Sequence, residues 1–255
     1  MRTRQDWPAV AWREFAASAR SGAVGTLLAL AVLAGLPVML RLAGLVTERP
    51  GDRWAAGVAA GVLSYGSLMA GGKAVAQALV DGALGERVGT TFAGLVLGVG
   101  AAGALRLAVL ATAGAVAGLA TGTLAVPVAE AAVAVCGLVG WYLLGFGLCS
   151  AVLAGVGTRV RRPAELAPAV APVLLVVVAA GAAGVSVLPS DPQGPLAQGL
   201  SLLPVCAPVL MPMRLAIGAV PAWQLLLAAG LLLLSVAVAL RPLRRARAQF
   251  GMSMP

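Results

Sequence analysis

The chain has 255 residues, of which 60% are hydrophobic and only 11% are charged, with a net charge of +9. Soluble domains carry about 25% charged residues, so these residues cannot coat a water-exposed surface. The composition excludes an ordinary soluble domain and predicts an all-α integral membrane protein. Nucleic-acid binding is not predicted, because the basic residues form short clusters between apolar runs, with no basic face and only 4% aromatic residues.

Histidine is absent from the sequence. That absence excludes Ser-His-Asp triads, HExxH zinc sites and His-ligated haem. Cys136, Cys149 and Cys206 lie in apolar runs without CxxC spacing, so they are interpreted as small buried residues rather than metal ligands. We expect no catalytic residue, metal or cofactor on this chain, and no nucleophile–base pair for an intramembrane enzyme is visible.

Six apolar segments are long enough to cross a bilayer, which takes about 20 residues. They are residues 22–40, 54–72, 94–120, 131–155, 166–188 and 222–240. Of the 18 basic residues, 13 lie before the first segment or after the second, fourth and sixth. By the positive-inside rule both termini, including the tail 241–255, are predicted to be cytoplasmic.

Residues 1–21 are predicted to contain a short helix at the membrane interface. Trp12 and Phe15 share one helical face, and Arg13 lies on the other. A plain cytoplasmic tail is the alternative. Small residues at 16–19 precede the apolar run rather than follow it, so the first segment is interpreted as a retained anchor and not a cleaved signal peptide.

One apolar stretch does not fit a straight span. Residues 195–216 contain Pro204, Pro208 and Pro212, four residues apart, and then Arg214. Each proline in a helix interior costs about 3 kcal/mol. Broken helices are tolerated at membrane depth only where protein or a water-filled cavity surrounds them.

A glycine pattern begins the third segment at Gly94, Gly98, Gly100 and Gly103. It contains a literal GxGxxG, but its flanks are apolar and no acid follows before residue 130, so a dinucleotide site is not supported. Close packing of membrane helices is the preferred interpretation. The Walker A pattern does not occur, so any ATP must be hydrolysed by another polypeptide.

Two ionisable residues lie within or beside the apolar segments. Arg106 either lines a polar path or pairs with an acid, or it snorkels to the cytoplasmic edge of a span that begins later. Glu130 is either solvated at the outer end of the fourth segment or takes part in transport. Residues 73–91 form a polar cytoplasmic segment that either docks on a soluble partner or merely connects two spans.

Four stretches are similar to one known family. They are residues 12–15 (WREF) with 19–21, residues 94–103, residues 141–146 with 162–165, and, most specifically, residues 191–223 around the three prolines. Together they resemble the permease subunits of ABC-2 type exporters, in particular the bacterial sodium-extrusion and antibiotic-resistance group. The resemblance implies one transmembrane domain in the bacterial plasma membrane, with residues 195–216 forming a re-entrant outer hairpin. Each proline would begin or end a short helix.

The resemblance also implies partners: a separate ABC ATPase subunit, which would hold ATP and magnesium, and a second permease subunit. Contacts with the ATPase are expected at two cytoplasmic segments. Their candidate residues are Asp81, Glu86 and Arg87, with Arg159, Arg161, Arg162 and Glu165 as the second contact. Pro204, Pro208, Pro212 and Arg214 would shape the outer gate, with Arg214 at the outer interface.

The chain departs from the family pattern at several points. Only residues 41–53 stand where many members have a large external domain, and residues 74–77 replace an acidic motif. Leu95 and Arg106 replace a usual lysine and glutamine. Two alternatives therefore remain. One is an ATP-independent carrier or channel, and the other is a structural or regulatory protein derived from a permease.

Overall fold

The architecture comes from a computed structural model, which describes part of the chain. The described residues are 8–9, 11–13, 15–16, 54–82, 88–122, 124, 126–157, 168–169, 171–172, 175–176, 178–179, 181–182, 186, 191, 193–217 and 220–241. In this part the chain forms helices and no strands, which confirms the all-α prediction. Six continuous helices are α1 (Trp54–Gly82), α2 (Val88–Thr121), α3 (Val128–Gly157), α4 (Pro195–Leu202), α5 (Ala207–Ile217) and α6 (Ala222–Ala239).

Three helices of the described part are long and apolar enough to cross a membrane. These candidate spans are Val96–Thr121, Val128–Leu153 and Ala222–Ala239. They fall on three of the predicted segments. The predicted span 22–40 lies outside the described residues, and 166–188 is described only as separate helical residues. The count of six spans therefore stays a prediction.

Helix α1 is longer than the predicted span 54–72. It continues without interruption to Gly82 and takes in Lys73 and Asp81. Residues 73–81 contain alanine, leucine, valine, glutamine and lysine but no proline, so nothing in them stops a helix that has already begun. The first part of the predicted polar segment is thus an extension of α1.

Helices α1, α2 and α3 meet where two aromatic rings face glycines. Tyr142 and Phe146 of α3 stack with ring centroids 5.8 Å apart. A Cβ atom would lie 2.9 Å from Phe146 at Gly71 and 2.8 Å from it at Gly100, and one at Gly103 would overlap the Tyr142 hydroxyl. Because real Cβ atoms do not approach so closely, glycine is what lets α1 and α2 close on the aromatic pair.

Helix α6 joins the bundle along one narrow stripe. Its buried residues are Gln224, Ala228 and Leu232, spaced four apart on one face. The other faces are apolar but exposed, as at Leu226 and Leu234. A helix that is apolar all round yet packs on one side is suited to lipid on its remaining sides.

The glycine contact leads to a stability prediction. Gly103→Ala is expected to lower the free energy of unfolding by about 1–3 kcal/mol, because the new methyl group overlaps Tyr142. Gly114→Ala is the matched control on the same helix, since no atom lies within 4 Å of a Cβ built there. The control is expected to be neutral or stabilising by up to about 1 kcal/mol. Unfolding of both purified variants in detergent measures the difference, and equal effects would contradict the packing.

Candidate functional site

The prolines lie in a helical hairpin that is enclosed by the bundle. Helix α4 is followed by a turn at residues 203–206 and then by α5. Every residue of α5 from Ala207 to Arg214 is buried. Helices α1, α3, α4 and α6 all contact α5. A short helix that carries three nearby prolines is thus surrounded by protein on all sides.

The three prolines have different positions in this hairpin. Pro204 lies in the turn, where no helical hydrogen bond is lost. Pro208 is the second residue of α5, and its missing N–H is one that a first turn leaves unused anyway. Pro212 lies inside α5. The prediction that every proline begins or ends a short helix is therefore wrong for Pro212, since surrounding helices hold α5 together past it.

A serine of α1 compensates for Pro212. An α-helical carbonyl normally accepts from the N–H four residues later, but residue 212 has no N–H, so the Pro208 carbonyl lacks this donor. The Ser64 Oγ donates a hydrogen bond to the Pro208 carbonyl at 2.6 Å. Both residues are buried. A buried carbonyl without a donor would cost free energy. The bond from Ser64 therefore offsets the loss of the helical hydrogen bond that Pro212 cannot make.

Glycines on two helices allow α5 to approach closely. A Cβ at Gly145 of α3 would overlap the Pro208 ring, and one at Gly61 of α1 would overlap Met213. At the other end of α5, Leu215 Cδ1 lies 3.2 Å from a Cβ position at Gly137. Helix α5 therefore runs antiparallel to α3. Its first turn lies beside Gly145, about 25 Å from the beginning of the α3 span at 1.5 Å per residue.

Arg214 is fully buried, and it is the largest such side chain in the described part of the chain. It follows Leu210 and Met211 by one turn, and these two residues belong to different apolar clusters of the bundle. The sequence predicted Arg214 at the outer interface, whereas the structure encloses it in protein. Its place in the last turn of α5 suits a cation, because the C-terminal end of a helix is the negative end of its dipole.

The other ionisable residues are not part of this site. Arg106 is half-buried well inside the candidate span Val96–Thr121, one turn from the glycine that faces Tyr142. Glu130 is exposed in the first turn of α3, where the helix dipole favours an acid. Among the helices described, α2 and α5 are not in contact, so Arg106 and Arg214 are not brought together.

The remaining predicted residues divide into two groups. Asp81 lies in the last turn of α1, and Gly94 and Gly98 are buried on α2. Glu86, Arg87, Arg159, Arg161, Arg162 and Glu165 lie outside the described residues. Within the described part no cluster of three or more His, Cys, Asp or Glu side chains could hold a metal ion.

Sequence reasoning missed Ser64, Gly61 and Gly145. Ser64 stands in an apolar run of small residues, with nothing beside it that indicates a role. The available signal was indirect: a proline inside a buried helix requires a donor from elsewhere, and serine is one of the few donors in the apolar segments. Gln224, also missed, donates from Nε2 to the Gln198 carbonyl at 3.3 Å and joins the beginning of α6 to α4.

A comparison with protein families gives one match. The family model described as "ABC-2 family transporter protein" matches residues 88–241, more than half of the chain. The chain belongs to the ABC-2 transporter family. Neither a curated protein nor a solved structure matches it significantly. The family match covers the whole hairpin and begins after Ser64, so the hydrogen bond joins a matched helix to one outside the match.

Membership gives the general activity of this ABC-2 family protein. It is a multi-pass membrane protein and a membrane permease component of an ABC transporter. Members of this family are membrane components rather than ATPases, and the family implies association with an ABC ATPase subunit. The α4–α5 hairpin lies inside the family-matched region, immediately before the last candidate span.

The hydrogen bond between α1 and α5 generates a second prediction. Ser64→Ala is expected to lower the free energy of unfolding by about 1–3 kcal/mol, because the Pro208 carbonyl is left buried without that donor. The matched control is Ser201→Ala in α4. Ser201 is equally buried and donates at 2.6 Å to the Ala197 carbonyl, but that carbonyl keeps the regular helical N–H donor.

Unfolding in detergent measures both serine variants. The expected order of stability is parent, then Ser201→Ala, then Ser64→Ala. Equal losses in the two variants would show that the Pro208 carbonyl has no special need of the hydroxyl.

Proposed function

We propose that this protein is the transmembrane permease subunit of an ATP-driven exporter in a bacterial plasma membrane, with both termini in the cytoplasm. Two permease subunits form the path, and separate ABC ATPase subunits bind ATP and magnesium beneath them. The observation that carries the proposal is the buried α4–α5 hairpin, placed between the family's helices and immediately before the last span. We assign it the role of a re-entrant outer gate.

The position of the two ends of the hairpin supports the re-entrant assignment. The Gln224–Gln198 hydrogen bond holds the beginning of α6 beside α4. Helix α4 enters from that end, the chain turns at residues 203–206, and α5 returns toward it. The turn is close to the level of Gly145, deep in the candidate span of α3. A segment that enters and leaves at one end does not cross the bundle.

The helices that hold α5 also lead to the proposed ATPase contacts. Helix α1 bonds to α5 through Ser64 and ends at Gly82, which precedes Glu86 and Arg87 in the sequence by four and five residues. Helix α3 contacts α5 through Gly145 and ends at Gly157, next to residues 159–165. Movement of either cytoplasmic segment would therefore be carried along one rigid helix to the hairpin. Such coupling requires that ATP favours one arrangement of the helices over the other.

The cargo is proposed to be hydrophobic or amphipathic. None of the nine acidic residues of the chain lies in a predicted span or in residues 195–216, so the spans offer no carboxylate ligand for a cation. The large apolar side chains at the surface, such as Leu226 and Val116, suit lipid or the second permease subunit.

Affinity purification tests the proposed assembly. The tagged chain is extracted from its native membranes in mild detergent, and the stoichiometry of its partners is measured by mass spectrometry. We expect a near-stoichiometric partner that carries a Walker A motif, and two permease copies per complex. Recovery of this chain alone, from an extract in which a control ABC exporter stays intact, would contradict the proposal and favour a carrier or a structural protein.

The coupling residues give a third prediction. A Glu86→Lys, Arg87→Glu double reversal is expected to reduce ATPase recovery at least several-fold, because it inverts the charges at the proposed contact. Arg241→Glu is the control, since Arg241 is exposed just beyond α6 on the predicted cytoplasmic side and is not assigned to the contact. Quantitative co-purification and transport measure the effect. Unchanged association and transport in the double variant would remove these residues from the contact.

A further inference from the structure

Ser64 differs from three other hydroxyls on described helices. Thr121, Ser201 and Ser235 each donate to the carbonyl four residues earlier in their own helix. Ser64 instead donates to a carbonyl 144 residues away, on α5. Its hydrogen bond therefore acts between two elements, whereas those three act within one.

The contacts that surround this hydrogen bond are mostly apolar. Residues 207–214 of α5 are buried and contribute to both apolar clusters of the bundle. Met213 and Pro208 pack against the backbone at Gly61 and Gly145, and a methionine side chain adapts its shape easily. Apolar contact is non-directional, whereas a hydrogen bond depends steeply on distance and angle. The Ser64 bond is thus a directional contact between α1 and α5 that depends on their register.

We propose that Ser64 is the positioning residue that sets the register of the hairpin against α1, so that opening of the outer gate requires the loss of this hydrogen bond. The inference rests on the proposed function of the hairpin. Pro212 is the second residue on which this proposal depends. Because Pro212 removes the helical donor, the Pro208 carbonyl depends on Ser64 of α1 in the closed arrangement. When the hairpin moves, the same carbonyl can accept from another donor.

The chain contains its own reporter of hairpin movement. Cys206 lies in the turn between α4 and α5 and is half-buried. Replacing Cys136 and Cys149 by alanine leaves Cys206 as the sole cysteine of the chain. Its rate of labelling by a membrane-impermeant maleimide, added outside cells that contain the full transporter, measures how often the hairpin opens.

In this background Ser64→Ala is expected to raise the labelling rate of Cys206 about tenfold, the change that corresponds to one lost hydrogen bond of about 1.4 kcal/mol. Pro212→Ala restores an N–H four residues after Pro208. This N–H satisfies the carbonyl within α5 and competes with Ser64, so Pro212→Ala alone should also label faster than the parent. The double variant Ser64→Ala, Pro212→Ala should label at the Ser64→Ala rate, since the bond between α1 and α5 is absent in both. A role of Ser64 in packing alone would leave Pro212→Ala at the parent rate.

Ser235→Ala is the matched control, since its hydroxyl donates within α6 to the Leu231 carbonyl at 2.8 Å. It is expected to label at the parent rate. If Ser64→Ala labels like this control, or if adding Pro212→Ala returns its rate to that of the parent, the inference is overturned, because Ser64 would then only satisfy the carbonyl. If Ser64→Ala fails to reach the membrane, Pro212→Ala alone decides the question. A labelling rate equal to or slower than that of the parent would then overturn the inference.

The same cells separate this inference from the proposed function. Labelling of Cys206 in the parent is compared with and without ATP depletion. A rate that does not respond to ATP would contradict the gate under ATP control, while the Ser64 and Pro212 comparison still decides whether the hydrogen bond sets the register.

Discussion

This structure depends on one requirement: every backbone polar group of an enclosed helix needs a hydrogen-bond partner. Helix α5 is buried along its first two turns, and Pro212 deprives it of one internal hydrogen bond. The Ser64 hydroxyl supplies the missing donor from α1. Without it, an apolar bundle would contain a buried carbonyl with no helical donor. The position of α1, and of the helices that pack on it, is therefore linked to a proline in another part of the chain.

Two kinds of contact divide the bundle. Helices α1, α2 and α3 interlock where Tyr142 and Phe146 fill space left by glycines, and displacing large rings from fitted sites is costly. Helix α5 also packs against glycines through Met213 and Pro208, and the Ser64 hydrogen bond adds a directional contact with α1. The first kind of contact depends on shape, and the second depends on the direction of a donor as well. The proposed gate uses both: a frame of interlocked helices, and a bond whose donor can be exchanged.

The sequence predicted the all-α class of fold and singled out the proline-rich stretch, because both depend on composition and on local pattern. The lengths of the apolar segments predicted three of the described spans, and the spacing of the prolines marked the stretch that forms the hairpin. The sequence did not reveal contacts between distant residues. Pro212 indicated that one helical hydrogen bond would be missing. Nothing in the sequence near Ser64 identified its hydroxyl as the replacement donor. Arg214 was expected at the outer interface from the family resemblance, whereas the structure buries it in a helix that four others contact.

The single stripe by which α6 joins the bundle has a consequence for how such chains diverge. Gln224, Ala228 and Leu232 of this helix are fully buried, and Leu225, Ala229 and Val236 pack partly buried beside them. The positions between them need only be apolar, so leucine, valine, isoleucine and alanine exchange there at little cost. Exchanges at these positions would leave the packing stripe unchanged. The family pattern across residues 88–241 can therefore be kept while the exposed apolar residues of α6 vary.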